Sequence, residues 1–277
     1  MNGVERLPMS GDEVGATFFA LFVATTAWGI WYYRAVSIAR LGSREPEYRG
    51  SGLLRLAPLI ATLLVFAVLK TLAAHDVRDD WRYLAMYTIL GAAWTGAALT
   101  LVPALGVSAI HDVYERGNRA AAWAISGAIV ALAVAYAGGN IGDGPGWWVV
   151  VFAALLATVT FFVLWAAFEH WTSVSDSITV DRDEASGIRL AGFLLGTSLI
   201  LARAAAGDWV SAGATIRDFL IVLWPAALLL FVAGVVESRV QPTPARPSQP
   251  VTSHGLVPAL LYVAFGAITV LAFGMPE

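Results

Sequence analysis

Six polar residues in two short segments are the first candidates for chemistry in this chain. The segments "AGGNIGDGPGWW" (137–148) and "ARAAAGDWVSAGATIRDF" (202–219) each end an apolar run and carry carboxylates, an amide and guanidinium groups. Such groups can bind a cation or a small polar solute where repeated membrane segments meet. The residues concerned are Asn140, Asp143, Arg203, Asp208, Arg217 and Asp218. We predict that they form a polar vestibule on one side of the protein.

The same two segments also have a simpler interpretation. The glycines and the proline of 142–146 are typical of a tight turn. Trp147, Trp148 and Trp209 suit the aromatic belt found at membrane interfaces, and the charged groups can form surface ion pairs without any ligand. The sequence leaves both interpretations open.

Catalytic and cofactor chemistry finds little support in the residue types. The absence of cysteine excludes disulfides, thiolate metal sites and a cysteine nucleophile. Lys70 is the only lysine and does not lie in a phosphate-binding loop, and no G-x-S-x-G motif occurs. The four histidines fall at predicted helix ends without H-E-x-x-H spacing: His75, His111, His170 and His254. We therefore predict no enzyme activity, no metal and no cofactor.

The elements that position these residues are apolar helices. The 277 residues are 58% hydrophobic and only 13% charged, with a mean hydropathy of +0.70, whereas soluble domains are about a quarter charged. A bilayer-spanning helix needs roughly 17 to 25 apolar residues. Eight runs satisfy this length: 15–41, 51–74, 81–105, 119–138, 147–170, 185–206, 214–238 and 255–273. The sequence predicts an all-α, polytopic transmembrane bundle of about eight helices.

The distribution of basic residues predicts the orientation of these helices. With both termini outside, eleven of the 17 basic residues lie at cytoplasmic helix ends and six at outer ends, as the positive-inside rule favours. The cytoplasmic set is Arg34, Arg40, Arg44, Arg49, Arg55, Arg116, Arg119, Arg182, Arg189, Arg239 and Arg246; the outer set is Arg6, Lys70, Arg78, Arg82, Arg203 and Arg217. The first residues lack a cleavable signal-peptide pattern, so we expect the first helix to act as a signal-anchor in a bacterial inner membrane.

Two stretches share a charged beginning followed by small apolar residues. In "DVYERGNRAAAWAISG" (112–127), the polar residues must lie at the membrane interface, and the alanines and glycines beyond them favour close helix contact. "SITVDRDEASGIRLAG" (177–192) has the same pattern 65 residues later, with Asp183 aligned to Asn118 and Gly192 aligned to Gly127. This offset predicts an internal repeat of two-helix hairpins, and four hairpins in all if helix pairs 1–2 and 7–8 are divergent copies.

The first of these stretches resembles a known family. An acidic residue, Gly-Asn and a run of alanines open a glycine-containing helix, here Glu115, Gly117, Asn118, Ala120–Ala122 and Gly127. This pattern resembles the bacterial inner-membrane proteins of domain of unknown function family 350, over residues 84–206. The second stretch looks like the second repeat of that family, with Asp183 where asparagine is commoner. The resemblance implies a four-helix unit and no established activity.

The sequence thus predicts three parts and two candidate functions. The parts are an N-terminal helix pair (1–80), a central repeated four-helix unit (81–206) and a C-terminal pair (207–277) with an extended, mobile, Pro-rich cytoplasmic linker at 239–253.

The first candidate function is a non-catalytic membrane scaffold or accessory subunit that contacts the lipid bilayer and packs with a copy of itself or another membrane protein. The alternative is a facilitator or channel for a small solute or ion. Nothing points to nucleic acid.

Overall fold

The chain forms a bundle of α-helices. The computed structural model describes residues 9–41, 51–243, 245–246 and 248–274, apart from the side chains of 38–41 and 51. The α-helices in these ranges are α1 (Gly11–Leu41), α2 (Ser51–Leu72), α3 (His75–Arg78), α4 (Trp81–Ala98), α5 (Arg119–Gly138), α6 (Trp147–Thr172), α7 (Val174–Thr179), α8 (Glu184–Ala205), α9 (Ala212–Val240) and α10 (Val257–Phe273). A 3-10 turn (Leu99–Leu105) continues α4, and π-helical turns at Ala109–Glu115 and Val251–Leu256 precede α5 and α10. The predicted all-α class is confirmed.

Eight of the described helices are long and apolar enough to cross a membrane. They cover 11–37, 52–72, 81–105, 119–138, 147–172, 184–205, 212–240 and 251–273. Each overlaps one predicted apolar run, with ends that differ by a few residues. Large apolar side chains on α1, α2, α9 and α10 remain exposed on the bundle surface, where only lipid can accept them without cost. The chain is a multi-pass integral membrane protein.

The spans are arranged as four successive antiparallel pairs. We call the end of the bundle with residues 106–118 and 173–183, the C-terminal end of α1 and of α9, and the beginning of α2, the hairpin face. The opposite end, with the links between pairs and both described chain ends, is the connector face. Of the basic residues in the charge balance, Arg6, Arg44, Arg49 and the side chain of Arg40 lie outside the described residues.

The second helices of the four pairs form one row in the order α2, α5, α8 and α10. The first helices cover this row, with α1 packed on α4 and α6 on α9. In the middle of the row, 89% of the spanning window of α5 and 83% of that of α8 are buried, against 33% for α2 and 22% for α10 at its ends. The core therefore lies on the two central helices. The helices at the two ends of the row, α2 and α10, keep most of their residues outside the buried core.

Neighbouring pairs touch through residues that are 64 to 66 positions apart. These contacts occur at both faces and in the middle of the spans, so equivalent helices run parallel at the same height. The hydrogen bonds of this kind include Trp28 Nε1 to Ala92 O (2.9 Å), Trp94 Nε1 to Thr158 Oγ1 (2.9 Å), Arg119 Nη2 to Glu184 Oε1 (3.0 Å), Asp143 N to Asp208 Oδ1 (2.7 Å) and Gly207 N to Ile141 O (2.8 Å). Their spacing equals the offset at which the two sequence stretches align.

Small residues bring the backbones of the row into direct contact. A Cβ atom at Gly138 would lie 2.3 Å from Ala202 Cα, and one at Gly187 would lie 2.2 Å from Ala120 O, so only glycine fits between α5 and α8. Gly192 meets Ala259 of α10 in the same way, at 2.4 Å from its Cα. Close backbone approach maximises dispersion contacts where lipid removes the hydrophobic drive for association. Of these three glycines, the sequence pattern had singled out Gly192, whereas the contacts of Gly138 and Gly187 emerge only from the structure.

The hairpin turns before α5 and α8 have the same backbone course. Gly117 and Arg182 both adopt a positive φ, +64° and +55°, and the next residue of each turn is an N-cap. Asn118 Oδ1 accepts from Ala121 N at 3.2 Å, and Asp183 Oδ2 accepts from Ser186 N at 2.8 Å. Both caps also reach the following turn: Asn118 Nδ2 donates to Ile178 O, and Asp183 Oδ1 accepts from Gln249 N. Each cap residue thus stabilises the beginning of its own helix and also forms a hydrogen bond to the hairpin turn of the next helix pair.

Asn118→Ala should lower the free energy of unfolding by about 1 to 2 kcal/mol, since it removes both a cap and a buried hydrogen bond to Ile178 O at 2.7 Å. Ser211→Ala is the matched control because Ser211 caps α9 through Ala214 N at an exposed site without a bond to another turn. Thermal unfolding of the detergent-solubilised chain measures both. An equal loss in the two variants would show that the bond to Ile178 contributes nothing.

The Pro-rich segment differs from the extended, mobile linker predicted at 239–253. Helix α9 continues to Val240, and the π-helical turn begins at Val251. Between them, Thr243 and Arg246 exchange two backbone hydrogen bonds of 3.0 and 2.8 Å. Gln249 N is held by Asp183 Oδ1 at 3.1 Å. Helical structure therefore extends into both ends of the predicted linker, and proline leaves the N–H groups of the neighbouring residues free to bind backbone and side-chain acceptors.

Candidate functional sites

The two polar segments predicted to form a vestibule meet on the connector face. Gly207 N donates to Ile141 O and Trp209 N donates to Asp143 O, both at 2.8 Å. Asp143 N donates in turn to Asp208 Oδ1 at 2.7 Å. These bonds hold the links 139–146 and 206–211 against each other. Asp143 and Asp208 are therefore adjacent, and the Asp208 carboxylate is bound by the backbone N–H of Asp143.

A cavity of about 50 Å³ lies beneath this junction. Asp76, Asn140 and Asp143 contribute polar groups to its wall, together with Tyr87 and Trp209. Asn140 is 5% exposed; its Nδ2 donates to Tyr136 O, but its buried Oδ1 accepts no hydrogen bond. A buried acceptor without a partner is uncommon in proteins and favours an internal water or a small polar guest.

The other three predicted vestibule residues lie elsewhere on the connector face. The Arg203 guanidinium donates to Phe273 O and Gly274 O, and so fixes the end of α10 to the end of α8. Arg217 and Asp218 pair with each other at 3.3 Å, with side chains that are 73% and 65% exposed. Of the six predicted vestibule residues, Asn140 and Asp143 line the cavity and Asp208 binds the backbone of Asp143 beside it, whereas the two arginines and Asp218 lie elsewhere.

Two of the four histidines, His75 and His111, each pair with a carboxylate one turn along their own helix. His75 Nδ1 lies 3.2 Å from Asp79 Oδ2, and this hydrogen bond lowers the pKa of Asp79. His111 Nδ1 lies 2.9 Å from Glu115 Oε2 in the turn before α5. Across the described ranges, no three His, Asp or Glu side chains lie close enough together to share a metal ion.

A buried ion pair on the hairpin-face side of the bundle is the strongest electrostatic feature. Arg189 of α8 and Glu237 of α9 are each 1% exposed, and Arg189 Nε lies 2.6 Å from Glu237 Oε2. Arg189 Nη2 donates to Glu237 Oε1 at 2.7 Å and to Ser186 Oγ at 2.7 Å, and Nη1 donates to His254 O at 2.5 Å. Ser186 Oγ also lies 2.8 Å from Asp183 Oδ2. The network joins α8, α9 and the turn before α10.

Sequence reasoning missed this pair, since it assigned Arg189 to the cytoplasmic surface and did not consider Glu237. The sequence did contain a signal, because each charge lies inside an apolar helix. Arg189 is more than one turn from the beginning of α8, and Glu237 is close to one turn from the end of α9. A charge there requires a partner of opposite sign. Which partner it finds depends on how α8 and α9 are rotated about their axes, and the sequence pattern does not specify this.

An apolar groove of about 320 Å³ lies between α1, α4 and the turn before α5. Its wall consists almost entirely of apolar side chains, and two tryptophans and a tyrosine form a ladder along it. Trp28 and Trp31 lie with ring centroids 5.9 Å apart, and Trp31 and Tyr114 with centroids 6.1 Å apart. Arg34, which is exposed, is the one charged residue among the described residues that line the groove.

Two side chains that line the groove carry a buried polar atom without a hydrogen-bond partner in the described residues. Trp31 Nε1 and Tyr114 Oη are buried and have no hydrogen-bond partner in the described part of the chain. The same holds for Arg55 Nε, beside Tyr114. Burial raises the pKa of Tyr114 to about 12, so its hydroxyl keeps its proton at neutral pH. Because these atoms are covered by protein, the groove presents an almost wholly apolar surface.

Comparison with known proteins adds no identification: no known family profile, curated protein or solved structure matches the chain. The class defined by fold and composition is an integral membrane protein of eight apolar helices. The resemblance of residues 84–206 to domain of unknown function family 350 stays a prediction.

Proposed function

We propose that the protein is a non-catalytic membrane scaffold or accessory subunit of a bacterial inner membrane. The observation that carries this proposal is the close packing of α5 and α8, where Gly138 and Gly187 allow backbone contact and most of both helices is buried. Such an interior favours a rigid support over a path for a solute. The row of second helices ends in exposed apolar faces at α2 and α10, which can pack with a copy of the chain or with another membrane protein.

The four helix pairs are, on this proposal, four copies of one hairpin. The 64 to 66 residue spacing of the contacts and the equivalent caps Asn118 and Asp183 support this. The same features support membership of residues 84–206 in domain of unknown function family 350. The hairpin face carries most of the basic residues, so we place it in the cytoplasm, where its arginines can attract anionic lipid or protein, and we place both termini outside.

Crosslinking from single cysteines tests the scaffold proposal, because the chain has no cysteine of its own. Leu63→Cys on α2 and Leu261→Cys on α10 place a thiol on the exposed faces at the two ends of the row, at positions that are 57% and 63% exposed. In native membranes we expect one of them to give a constant crosslinked species, either a homodimer or a heteromer. Leu155→Cys on α6, which is 50% exposed, is the control and should remain uncrosslinked. Diffuse products from all three positions would contradict the proposal.

The alternative function, a facilitator of a small solute or ion, is favoured by the cavity under the connector face with its unpaired Asn140 Oδ1. Liposomes that contain the purified chain should show no flux of small ions or neutral solutes if the scaffold proposal is right. Flux above that of empty liposomes, abolished by Asp143→Ala with the fold intact, would instead establish the alternative.

A further inference from the structure

The cavity of about 50 Å³ under the connector face lies where three connections between helix pairs meet. Its wall includes residues of 73–80, of 139–146 and of 206–211, the connections that follow the first, second and third pair. A cavity of this size holds a small ion with one or two waters, whereas organic ligands occupy roughly 300 to 1,000 Å³. Any guest of the cavity is therefore an ion or water.

An aspartate lies at a corresponding position of each of these connections. Asp143 follows Asp76 by 67 residues, and Asp208 follows Asp143 by 65. Where the second and third connections meet, Asp208 Oδ1 accepts from Asp143 N at 2.7 Å. Where the first and second meet, Asp76 Oδ1 accepts from its own neighbour Val77 N, and the Asp143 carboxylate has no hydrogen bond or ion pair in the described part of the chain. The protein thus binds one of two corresponding carboxylates, and the cavity adjoins the other.

Tyr87 of α4 contributes a hydroxyl to the same wall. The residue is 6% exposed, and the surface that remains includes its Oη. Because Tyr87 lines the cavity, this hydroxyl opens onto it, and it has no hydrogen-bond partner within the described ranges. Asp76 and Glu13 are the carboxylates that act on the hydroxyl electrostatically, and no basic side chain of the described residues offsets them. A buried polar side chain without a partner thus faces an acidic cavity.

No basic group balances the carboxylates of the wall. Asp76 and Asp143 line the cavity, and none of its described lining residues is Lys, Arg or His. The basic groups near the first connection bind elsewhere: Lys70 Nζ donates to Arg78 O at 2.7 Å, and Arg78 Nη2 contacts His75 Nε2. Uncompensated carboxylates and neutral oxygens on one small cavity are the ligands that hard cations prefer. The balancing charge therefore comes from an ion.

We propose that this cavity binds a calcium ion that links the first two connections of the connector face. Asp76 and Asp143 neutralise the ion, Tyr87 Oη supplies a neutral oxygen directly or through a water, and waters complete the roughly six to eight oxygen ligands that Ca²⁺ takes. Mg²⁺ requires a regular octahedron, which side chains from three separate segments do not readily form. With two carboxylates we expect a Kd of roughly 10⁻⁴ to 10⁻³ M, as in extracellular calcium modules. The site is remote from the row ends at α2 and α10, so it does not depend on the scaffold role.

Terbium luminescence of the full chain in detergent, freed of divalent ions with a chelator, tests the site. Tb³⁺ replaces Ca²⁺ and emits when a nearby tryptophan is excited, and Trp209 forms part of the wall. We expect Ca²⁺ to displace Tb³⁺ at concentrations at least about tenfold lower than Mg²⁺, and Na⁺ not to displace it. Trp209→Phe should reduce the emission, whereas Trp224→Phe at mid-span on α9 should not. Equal competition by the three ions, or equal emission from both variants, would overturn the proposal.

Three variants test the ligands. Asp143→Asn and Asp76→Asn should each weaken Ca²⁺ binding at least about tenfold. Both keep the shape of the side chain, and asparagine at position 76 retains an acceptor for Val77 N. Tyr87→Phe removes only the hydroxyl, which has no partner to lose in the described part of the protein, and should also weaken binding. Unchanged affinity in Asp143→Asn and Asp76→Asn would overturn the site, and unchanged affinity in Tyr87→Phe would remove the hydroxyl from it.

Asp218→Asn is the matched control, since Asp218 is an exposed aspartate of the same face that pairs with Arg217. Ca²⁺ should raise the midpoint of thermal unfolding of the parent chain and of this control, but not that of Asp143→Asn, because an ion stabilises only a fold that binds it. Unfolding in chelator confirms that each variant is folded. A loss of binding in the control equal to that in Asp143→Asn would assign the effect to general surface charge and overturn the site. The crosslinks from α2 and α10 should be the same with Ca²⁺ and with chelator, so the site and the scaffold proposal fail separately.

Discussion

Glu237→Gln should destabilise the folded protein by about 3 to 5 kcal/mol, the cost expected when one partner of a buried ion pair is removed. The substitution keeps the shape of the side chain, so it creates no cavity. It leaves the Arg189 guanidinium, 1% exposed, without the carboxylate that lies 2.6 Å from its Nε. The low dielectric of the bundle interior makes the uncompensated charge costly. Thermal unfolding in detergent, with the monodisperse fraction from size-exclusion chromatography, measures the loss.

Two controls show whether the loss comes from the unpaired charge. Asp218→Asn removes one partner of an exposed pair with Arg217, and we expect a change of less than about 1 kcal/mol. The double variant Arg189→Met with Glu237→Leu removes both charges and should recover more than half of the stability, although Ser186 and His254 O lose a partner. If the double variant were less stable than Glu237→Gln alone, the pair would instead contribute chiefly through its hydrogen bonds.

Gly196→Ala should lower the free energy of unfolding by about 1 to 3 kcal/mol, the usual cost of overpacking a filled interior. A Cβ atom at Gly196 would lie 2.3 Å from Tyr262 O of α10, and α10 carries Gly266 against the same backbone. Because the obstructing atoms belong to the main chain, the two helices must separate to admit one methyl group. We expect a lower midpoint of thermal unfolding and faster proteolysis of the α9–α10 link.

The control is a glycine at a similar depth of the membrane with open space around it. Gly29 of α1 has no heavy atom within 4 Å of its virtual Cβ position. Gly29→Ala should be neutral or stabilising by up to about 1 kcal/mol, because alanine has the higher helix propensity. A similar loss from Gly29→Ala and Gly196→Ala would mean that the α8–α10 contact is looser than the structure shows, or that Gly29 contacts a partner in the membrane.

The spans and their packing faces could be predicted because they are local properties. Twenty or so apolar residues form a helix across the bilayer whatever their neighbours are, since the lipid offers no partner for backbone N–H and C=O groups. Likewise, the glycines of α8 at positions 192 and 196 lie on one helix face by their spacing alone. The capping role of Asn118 follows from its residue type at the start of a helix.

The candidate sites could be predicted only in part. The segments around Asp143 and Asp208 were expected to meet, and they do so because they occupy equivalent positions in adjacent helix pairs. Arg203 was placed in the same layer by depth alone, yet its guanidinium turns to the carbonyl groups at the end of α10. Depth in the membrane follows from position along a helix, whereas the direction of a side chain within that layer depends on neighbouring helices.

The amino-acid sequence by itself determined that this protein is an all-α membrane protein of eight spans with small-residue contact faces, because bilayer thickness and helix periodicity act on each segment separately. Only the tertiary structure decided that Arg189 meets Glu237, 48 residues later, and that Trp31, Tyr114 and Arg34 surround one groove. These arrangements depend on the rotation and register of whole helices against one another. The free energy that determines this rotation and register is the sum of many weak contacts between distant segments, and it cannot be inferred from the residue pattern of any one segment.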